Sequence, residues 1–286
     1  MANLIIINMN NNMMKLGLST YFLVSKHIKE IVKDILDNGF KVIEISYEIP
    51  HLLEMDRKFF LYLKEIKRDG IEFSMHAPFL EINLGSYFED MRRFSKKRVL
   101  KALNMAEIAG CSPFIIHPCY SFVRGKAEHI EKKTKENFLV DLKEIVAIAK
   151  DKGINVGLEN VQMPFFFFYN MEDFLILQKE VPELKIAFDL GHAYISKFLK
   201  GNKNPEESII EDIKRVGLNN IIHIHLHNNS GTRDDHTIIE GNMNLKKILK
   251  FLIENGYKEK IIIESQDFEK YGMNVIMKKI KDLDFS

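Results

Sequence analysis

The stretch Asn220-Ile-Ile-His-Ile-His-Leu-His-Asn-Asn-Ser-Gly-Thr-Arg-Asp-Asp-His236 decides the architecture of this chain. Histidines at 223, 225 and 227 alternate with Ile222, Ile224 and Leu226, which predicts a strand with one aliphatic face and one imidazole face. In a hairpin the imidazole face would meet water, whereas in a parallel barrel it would line the lumen. The last residues of such a strand lie at the barrel mouth, where catalysis takes place. The pattern therefore predicts a barrel strand that runs into a metal-binding loop.

Short β-branched runs alternate with longer amphipathic runs along the rest of the chain. Beside this seventh strand, strands are predicted at 16–19, 42–47, 71–76, 113–117, 154–160, 185–190 and 260–265. One helix is expected after each strand, and Ser25 is the expected N-cap of the first. No Pro/Ser-rich linker divides these units, which favours a single α/β domain, a (β/α)8 TIM barrel over residues 15–286. A doubly wound sheet is the rival fold, but no Gly-rich phosphate loop follows the first strand.

Composition narrows the class of protein. The chain has 286 residues, 46% of them hydrophobic, and a formal net charge of +1, which favours neither a nucleic-acid-binding nor an acidic surface. No apolar run approaches the roughly 18 residues needed to span a bilayer, so no membrane association is expected. Two cysteines give no disulfide framework and suit a reducing cytoplasm. Residues 1–14 are expected to be a disordered extension, with Met13 or Met14 as alternative starts. No obligate protein partner is inferred.

Ligand-type side chains end five of the other predicted strands. They are His76, His117, Glu159, Asp189 and Glu264. Equivalent ends of parallel barrel strands meet at one mouth, so these side chains should lie together. Clustered acids and imidazoles would be costly to desolvate unless a cation compensated their charge. The sequence therefore predicts a divalent-metal site at the mouth.

A resemblance to a known superfamily is carried by segments at these same ends. They are His76-Ala-Pro-Phe-Leu-Glu-Ile-Asn-Leu-Gly-Ser86, Ile116-His-Pro118, Leu158-Glu-Asn160, Phe188-Asp-Leu-Gly-His192, His225-Leu-His-Asn228, Asp234-Asp-His236 and Glu240-Gly241. As a set they resemble the xylose-isomerase-like TIM-barrel superfamily, over the chain from about Leu16 to Asp282. That superfamily includes endonuclease IV, which is the family 2 apurinic endonuclease, and the sugar-phosphate isomerases and epimerases.

The resemblance to endonuclease IV implies a site for up to three metals, zinc first and manganese as the alternative. The implied ligands are His76, His117 and Glu159 for the first metal; Glu159, Asp189, His225 and Glu264 for the second; and His192, Asp234 and His236 for the third. The implied activity is hydrolysis of a phosphodiester, damaged DNA included, by a metal-bound hydroxide. Glu159, Glu264 and Arg233 are the expected catalytic residues. Because every ligand position is filled, this hydrolase is the first prediction for the function.

A sugar or sugar-phosphate isomerase or epimerase is the alternative. In such relatives one divalent metal is held by residues matching Glu159, Asp189, His225 and Glu264, and carboxylates move a proton beside a carbonyl group. His192 and Arg233 match substrate contacts there. The loop at 228–233 lacks the lysine of the endonuclease segment, and Phe79 stands where that enzyme usually has tyrosine. These departures and the near-neutral charge keep the alternative open. A metal-binding barrel without activity is a third, weaker possibility.

Several other features allow two interpretations. The aromatic run 165–169 predicts either a lid over the site or packing against a helix. The alternation of side chains along the second strand predicts that Glu44 points into the barrel, where it would either bind a polyol or form an internal salt bridge. His223 and His227 are expected to line the lumen as hydrogen-bond donors rather than ligands. Cys119 is expected to be a buried filler.

Overall fold

Eight parallel strands close into a barrel in chain order, with β8 hydrogen-bonded back to β1. The computed structural model describes residues 15–283, so the expected extension at 1–14 lies outside the described residues. The strands are β1 Lys15–Ser19, β2 Val42–Ser46, β3 Glu72–His76, β4 Phe114–Ile116, β5 Val156–Glu159, β6 Lys185–Asp189, β7 Ile221–Leu226 and β8 Lys260–Ile263. The predicted TIM barrel is confirmed.

Helices cover the outside of the barrel. They are α1 Ile28–Asp37, α2 Arg57–Ile66, α3 Glu89–Ala109, α4 Glu128–Asp151, α5 Met171–Glu180, α6 Leu190–Leu199, α7 Pro205–Val216, α8 Leu245–Glu254, α9 Asp267–Tyr271 and α10 Met273–Asp282. Short 3-10 turns occupy His51–Leu53, Lys67–Asp69 and Leu218–Asn220. Within residues 15–283, no helix is both long and apolar enough to cross a membrane.

The main core lies between the strands and the helices. Strand β2 is buried along its whole length, as expected for a parallel sheet with both faces covered. Large aromatic side chains such as Phe60, Phe114, Phe138 and Phe188 are fully buried. Helix α1 packs four aliphatic residues inward, and its N-cap is His27, not the predicted Ser25. His27 Nδ1 accepts the hydrogen bond from the Lys29 N–H at the helix end, while the Ser25 backbone amide donates to Glu269.

Two helices, α6 and α7, separate β6 from β7, whereas the sequence pattern predicted one. Asp189 ends β6 and caps α6, because its Oδ1 accepts a 2.6 Å hydrogen bond from the backbone N–H of His192. Gly191 and the β-branched Ile195 lower the helix propensity of α6, so the pattern conceals it. Burial of its first six residues against the barrel stabilises the helix.

A register shift between β6 and β7 sets the level of the site. Ile186 pairs with Ile221, but the next residue, Ala187, pairs with His223, so Ile222 is skipped. The shift places Asp189 level with His225. Continuing the first pairing would have put Asp189 opposite Ile224, which belongs to the aliphatic face.

Candidate metal centre

The structure brings all of the predicted metal ligands to the C-terminal mouth of the barrel. Eight of them form three adjoining groups, together with His227, which the sequence predicted to be a hydrogen-bond donor rather than a ligand. The groups are His76, His117 and Glu159; Glu159, Asp189 and His225; and His192, His227, Asp234 and His236. Within each group the candidate ligand atoms lie within 4.8 Å of one another. Glu264, at the end of β8, completes the ring beside His225 and His236.

Glu159 is the residue that joins these groups. Its Oε2 accepts a 3.0 Å hydrogen bond from His76 Nε2 and lies 3.3 Å from His117 Nε2. Its Oε1 lies 3.4 Å from His225 Nδ1 and 3.4 Å from His192 Nδ1. Each carboxylate oxygen thus faces a different pair of imidazoles, which is the arrangement a bridging ligand requires. The carboxylate is 2% exposed, so the imidazoles and not water surround it.

The second group depends on the carboxyl ends of β5, β6 and β7, and Glu264, which follows β8, lies beside it. Asp189 Oδ2 lies 3.9 Å from His225 Nδ1, while Asp189 Oδ1 accepts a 3.1 Å hydrogen bond from His227 Nε2. Glu264 Oε1 approaches the other edge of the His225 ring, 3.8 Å from Nε2. A Cβ added at Gly191 would lie 2.0 Å from the His227 ring, so glycine is needed there to let this imidazole reach Asp189.

The third group is built around Asp234. Its carboxylate accepts a 3.2 Å hydrogen bond from His192 Nε2, lies 3.1 Å from His236 Nε2, and accepts a further bond from the Gln162 amide. His236 has φ +41°, a left-handed conformation that is strained for a histidine. Its main-chain oxygen accepts a bond from Gln266 N–H, which helps to hold it there.

The loop that carries Asp234 and His236 is anchored just beyond them. Asp267 Oδ2 accepts hydrogen bonds from the Thr237 hydroxyl and from the N–H groups of Ile238 and Ile239, at 2.6, 2.7 and 2.9 Å. Asp267 is 4% exposed. A buried carboxylate with three donors holds this loop against the end of β8 and limits its freedom.

The imidazoles and carboxylates strongly perturb one another. Burial on its own would raise the pKa of Glu159, but the imidazoles of His225 and His117 hold that pKa well below its ordinary value. Burial raises the pKa of Glu264 to about 7. Burial would lower the pKa of His76, but its bond to Glu159 raises the pKa to about 9. The pKa values of the neighbouring carboxyls Glu159 and Glu264 are thus shifted in opposite directions, as is usual for an acid–base pair.

The donor set fits a divalent cation. Imidazole nitrogens and carboxylate oxygens are the ligands that zinc and manganese accept. The Nδ1 atoms of His225, His227 and His236 are buried without a hydrogen-bond partner in the described residues. Unpartnered nitrogens beside buried carboxylates are what a cation would satisfy. The arrangement supports a metal-binding site; the identity of the metal is a prediction.

A cavity of about 290 Å³ opens above these groups. Aromatic side chains of Tyr21, Phe22, Phe79 and Phe166 form much of its wall, with Gln162 and Met163 beside them. Among the described residues that line it there is no lysine or arginine. The volume lies near the lower end of the roughly 300–1,000 Å³ range of small-molecule sites, so the cavity suits a small, uncharged ligand.

Arg233 is the predicted site residue that the structure does not bring to the ligand groups. Its side chain is 83% exposed, and its Nε lies 3.7 Å from Asp235 Oδ1. The residue follows the turn after β7 and points away from the ligand groups, because the neighbouring Asp234 turns inward. In this position the Arg233 guanidinium does not contact any of the candidate ligands described above.

The aromatic run combines both interpretations offered for it. Phe166 lines the cavity, whereas Phe167 is buried and lies under the Arg124 guanidinium. Phe168 stacks on Phe138 of α4. One edge of the run therefore faces the site and the remainder packs on the barrel.

Cys119 is fully buried beside Gly85, as expected of a filler.

The cavity residues that sequence reasoning missed include two aromatic side chains and one amide. Tyr21 and Phe22 follow β1, and Gln162 follows β5. Their position just past a strand end was the available signal, since the loops at this end of a TIM barrel form its active site. Because these are not metal-ligand types, a search for ligands passed over them.

Known proteins resemble this chain in sequence and in overall fold. The uncharacterized protein MJ1311 of Methanocaldococcus jannaschii is 33% identical over 261 residues, which cover 89% of this chain and 84% of that protein. The crystal structure of a D-tagatose 3-epimerase-like protein has a TM-score of 0.78 and 29% identity, covering 94% of this chain and 98% of that one. The D-psicose 3-epimerase of Clostridium cellulolyticum H10, solved with D-tagatose, has a TM-score of 0.67 and 19% identity, covering 88% and 85%.

A family model supplies the assignment. The model described as a xylose isomerase-like TIM barrel matches residues 32–281, nearly the whole of the barrel. The matched region includes every predicted metal ligand and seven of the eight strands, since only β1 precedes it. The chain therefore belongs to the xylose isomerase-like TIM barrel family.

Proposed function

We propose that the protein is a divalent-metal-dependent epimerase or isomerase that moves a proton beside the carbonyl group of a sugar. The observation that carries this proposal is the pair Glu159 and Glu264, which line one small cavity and approach opposite edges of the His225 ring. Epimerisation needs two such carboxyls, because a proton removed from one face of a carbon must be replaced from the other.

The residues Glu159, Asp189, His225 and Glu264 would hold the cation. When bound there, the cation would polarise the sugar carbonyl and make the neighbouring C–H bond more acidic. One carboxylate takes the proton from carbon, and the electron pair of the broken C–H bond moves into the carbonyl group. The other carboxyl returns a proton to the opposite face. The aromatic wall of Tyr21, Phe22 and Phe79 would exclude water from this exchange.

The cavity favours a sugar without a phosphate group. With no lysine or arginine among its described lining residues, the cavity offers a phosphate no permanently charged basic side chain. Gln162 and Ser46 offer neutral hydrogen-bonding groups suited to hydroxyls. Similarity to the D-tagatose 3-epimerase-like protein, at 29% identity over almost the whole chain, supports the same class of substrate.

Phosphodiester hydrolysis is the second candidate, and one observation favours it. A one-metal sugar enzyme has no need of the group around His192, Asp234 and His236, yet these residues do converge. The small, cation-poor cavity and the epimerase similarity weigh against a duplex substrate. The comparisons thus support the sugar alternative better than the endonuclease IV prediction.

Solvent deuterium exchange tests the proposal. The full-length protein with Mn²⁺ is incubated in D₂O with free ketohexoses, D-tagatose among them, and proton NMR follows the carbons beside the carbonyl. Deuterium should appear at one of them together with a second sugar isomer. Glu264→Gln should stop the exchange, whereas Glu240→Gln, a control carboxyl that does not line the cavity, should not. Absence of exchange with free and phosphorylated ketoses, together with nicking of an abasic duplex, would establish the hydrolase instead.

A further inference from the structure

A buried carboxylate lies beneath the metal groups, inside the barrel. Glu44 of β2 and His223 and His225 of β7 are each 0% exposed. Glu44 Oε2 accepts a 2.7 Å hydrogen bond from His223 Nε2, and Oε1 accepts a 3.1 Å bond from His225 Nε2. Strands β8 and β1 separate β7 from β2 in the barrel, so these bonds cross the lumen.

Glu44 does not touch the substrate cavity. It is absent from the residues that line the cavity, and the His225 ring lies between its carboxylate and Glu159. Neither polyol binding nor a direct role in proton transfer fits that position. Any effect of Glu44 on the site must therefore pass through His225.

Three candidate ligand imidazoles each have one ring nitrogen hydrogen-bonded to an acceptor outside the predicted ligand set. His76 Nδ1 donates to the Ala77 carbonyl at 2.8 Å, and His192 Nδ1 donates to the Asn160 carbonyl at 2.9 Å. For His225 the corresponding acceptor is the Glu44 side chain. A backbone carbonyl cannot be removed by substitution, but a side chain can, so His225 is the imidazole whose orientation can be tested.

We propose that Glu44 is a positioning residue that holds His225 with Nε2–H toward itself and Nδ1 free to bind a metal. Within residues 15–283, His225 Nδ1 has no hydrogen-bond partner, and it lies 3.4 Å from Glu159 Oε1 and 3.9 Å from Asp189 Oδ2. An acceptor on the far nitrogen fixes both the tautomer and the ring orientation of a metal-binding histidine. The inference concerns the metal centre of the proposed function and does not depend on which substrate is used.

His223 has a supporting part in this arrangement. A fully buried carboxylate needs hydrogen-bond donors on both oxygens, and His225 alone cannot supply them. His223 and the Ser74 hydroxyl, 3.4 Å away, donate to Oε2 and leave Oε1 directed at His225. His223 thus holds Glu44, and Glu44 holds His225.

The test compares Glu44→Gln and Glu44→Leu with Asp141→Asn in the full-length protein. Asp141 is a matched control: it is 1% exposed and bonded to Arg92 and Lys96, far from the candidate ligands on the outer helix α4. Mn²⁺ affinity is measured by competition with a chelator. One equivalent should bind about 10–100-fold more weakly in Glu44→Leu, with a smaller loss in Glu44→Gln, which keeps one acceptor oxygen. Asp141→Asn should lower thermal stability and leave Mn²⁺ affinity unchanged.

A second readout reports the tautomer directly. Long-range ¹H–¹⁵N NMR of histidine-labelled, Zn²⁺-loaded protein should show His225 with its proton on Nε2 and its Nδ1 bound to the metal, and this preference should be lost in Glu44→Leu. If both Glu44 variants bound every equivalent of Mn²⁺ as tightly as the wild type, Glu44 would be only a packing residue. The same conclusion would follow if Asp141→Asn weakened Mn²⁺ binding as much as the Glu44 variants did. If Glu44→Leu does not fold, the near-isosteric Glu44→Gln decides. Metal binding without sugar turnover would remove the proposed function and leave this inference standing; a wild-type protein that binds no divalent cation would overturn both.

Discussion

Replacing Glu264 with glutamine should stabilise the metal-free protein, and the gain should grow with pH. The Glu264 side chain is 8% exposed, and burial raises its pKa from 4.5 to about 7. The folded protein therefore holds the proton more tightly than the unfolded chain does. As pH rises from 4.5 towards 7, the unfolded chain releases its proton and the folded protein does not, so stability falls. Glutamine has a similar shape and no proton to release.

The size of the effect follows from the shift in pKa. One pKa unit corresponds to about 1.4 kcal/mol, so the full cost of this carboxyl is roughly 3 kcal/mol above pH 7. Near pH 5, where only the unfolded chain has begun to ionise, the cost is roughly 1 kcal/mol. Glu264→Gln should therefore exceed the wild type in unfolding free energy by about these amounts at pH 8 and pH 5.

Urea denaturation followed by circular dichroism measures the difference after chelator treatment. Glu240→Gln, which removes an exposed carboxylate from the loop after β7, should show no comparable pH-dependent gain. Added Mn²⁺ should reverse the order, because the wild type keeps a ligand that the Glu264 variant has lost. Equal unfolding free energies of the wild type and Glu264→Gln at both pH values would refute the premise that burial raises the pKa of Glu264 without compensation by a neighbouring charge.

Three other outcomes are expected. A chelator should abolish turnover and lower the melting temperature, with recovery on adding Zn²⁺ or Mn²⁺, because clustered carboxylates repel once cations leave; an unchanged melting temperature would count against a metal site. Glu159→Gln should reduce turnover at least about 100-fold with an unchanged circular dichroism spectrum, and near wild-type turnover would show that it is not the bridge. The double change Asp234→Asn, His236→Gln should remove about one equivalent of bound metal by elemental analysis and leave sugar exchange within a few-fold. If the double change instead abolished sugar exchange, and also abolished a phosphodiesterase activity of the wild type, the three-metal hydrolase would be favoured.

Local patterns in the sequence were sufficient to predict the barrel and the convergence of the candidate ligands at its mouth. Strand β7 could be recognised because side chains alternate strictly between the two faces of a strand, and His225 therefore belongs with His223 and His227. His76 and Glu159 could be assigned to the mouth because each ends its strand, and parallel strands end at the same side of a barrel. These inferences need only a few consecutive residues at a time.

Loop residues escaped that reasoning. Arg233 lies in the loop between β7 and α8, and its exposure follows from how that loop packs and not from its type or spacing. Helix α6 was hidden because burial against the barrel, rather than helix propensity, stabilises it. Tyr21 and Phe22 reach the cavity only because the loop after β1 folds over the mouth.

The amino-acid order by itself determined the alternation of strands and helices, the inward face of each strand and the residue types at the mouth. Closure of the barrel decided which of those residues meet. The skipped Ile222 puts Asp189 level with His225, and Glu44 contacts His223 across 179 positions of sequence. Register and cross-lumen contacts depend on how all eight strands pack at once, because the free energy that selects them is shared among residues distant in the chain.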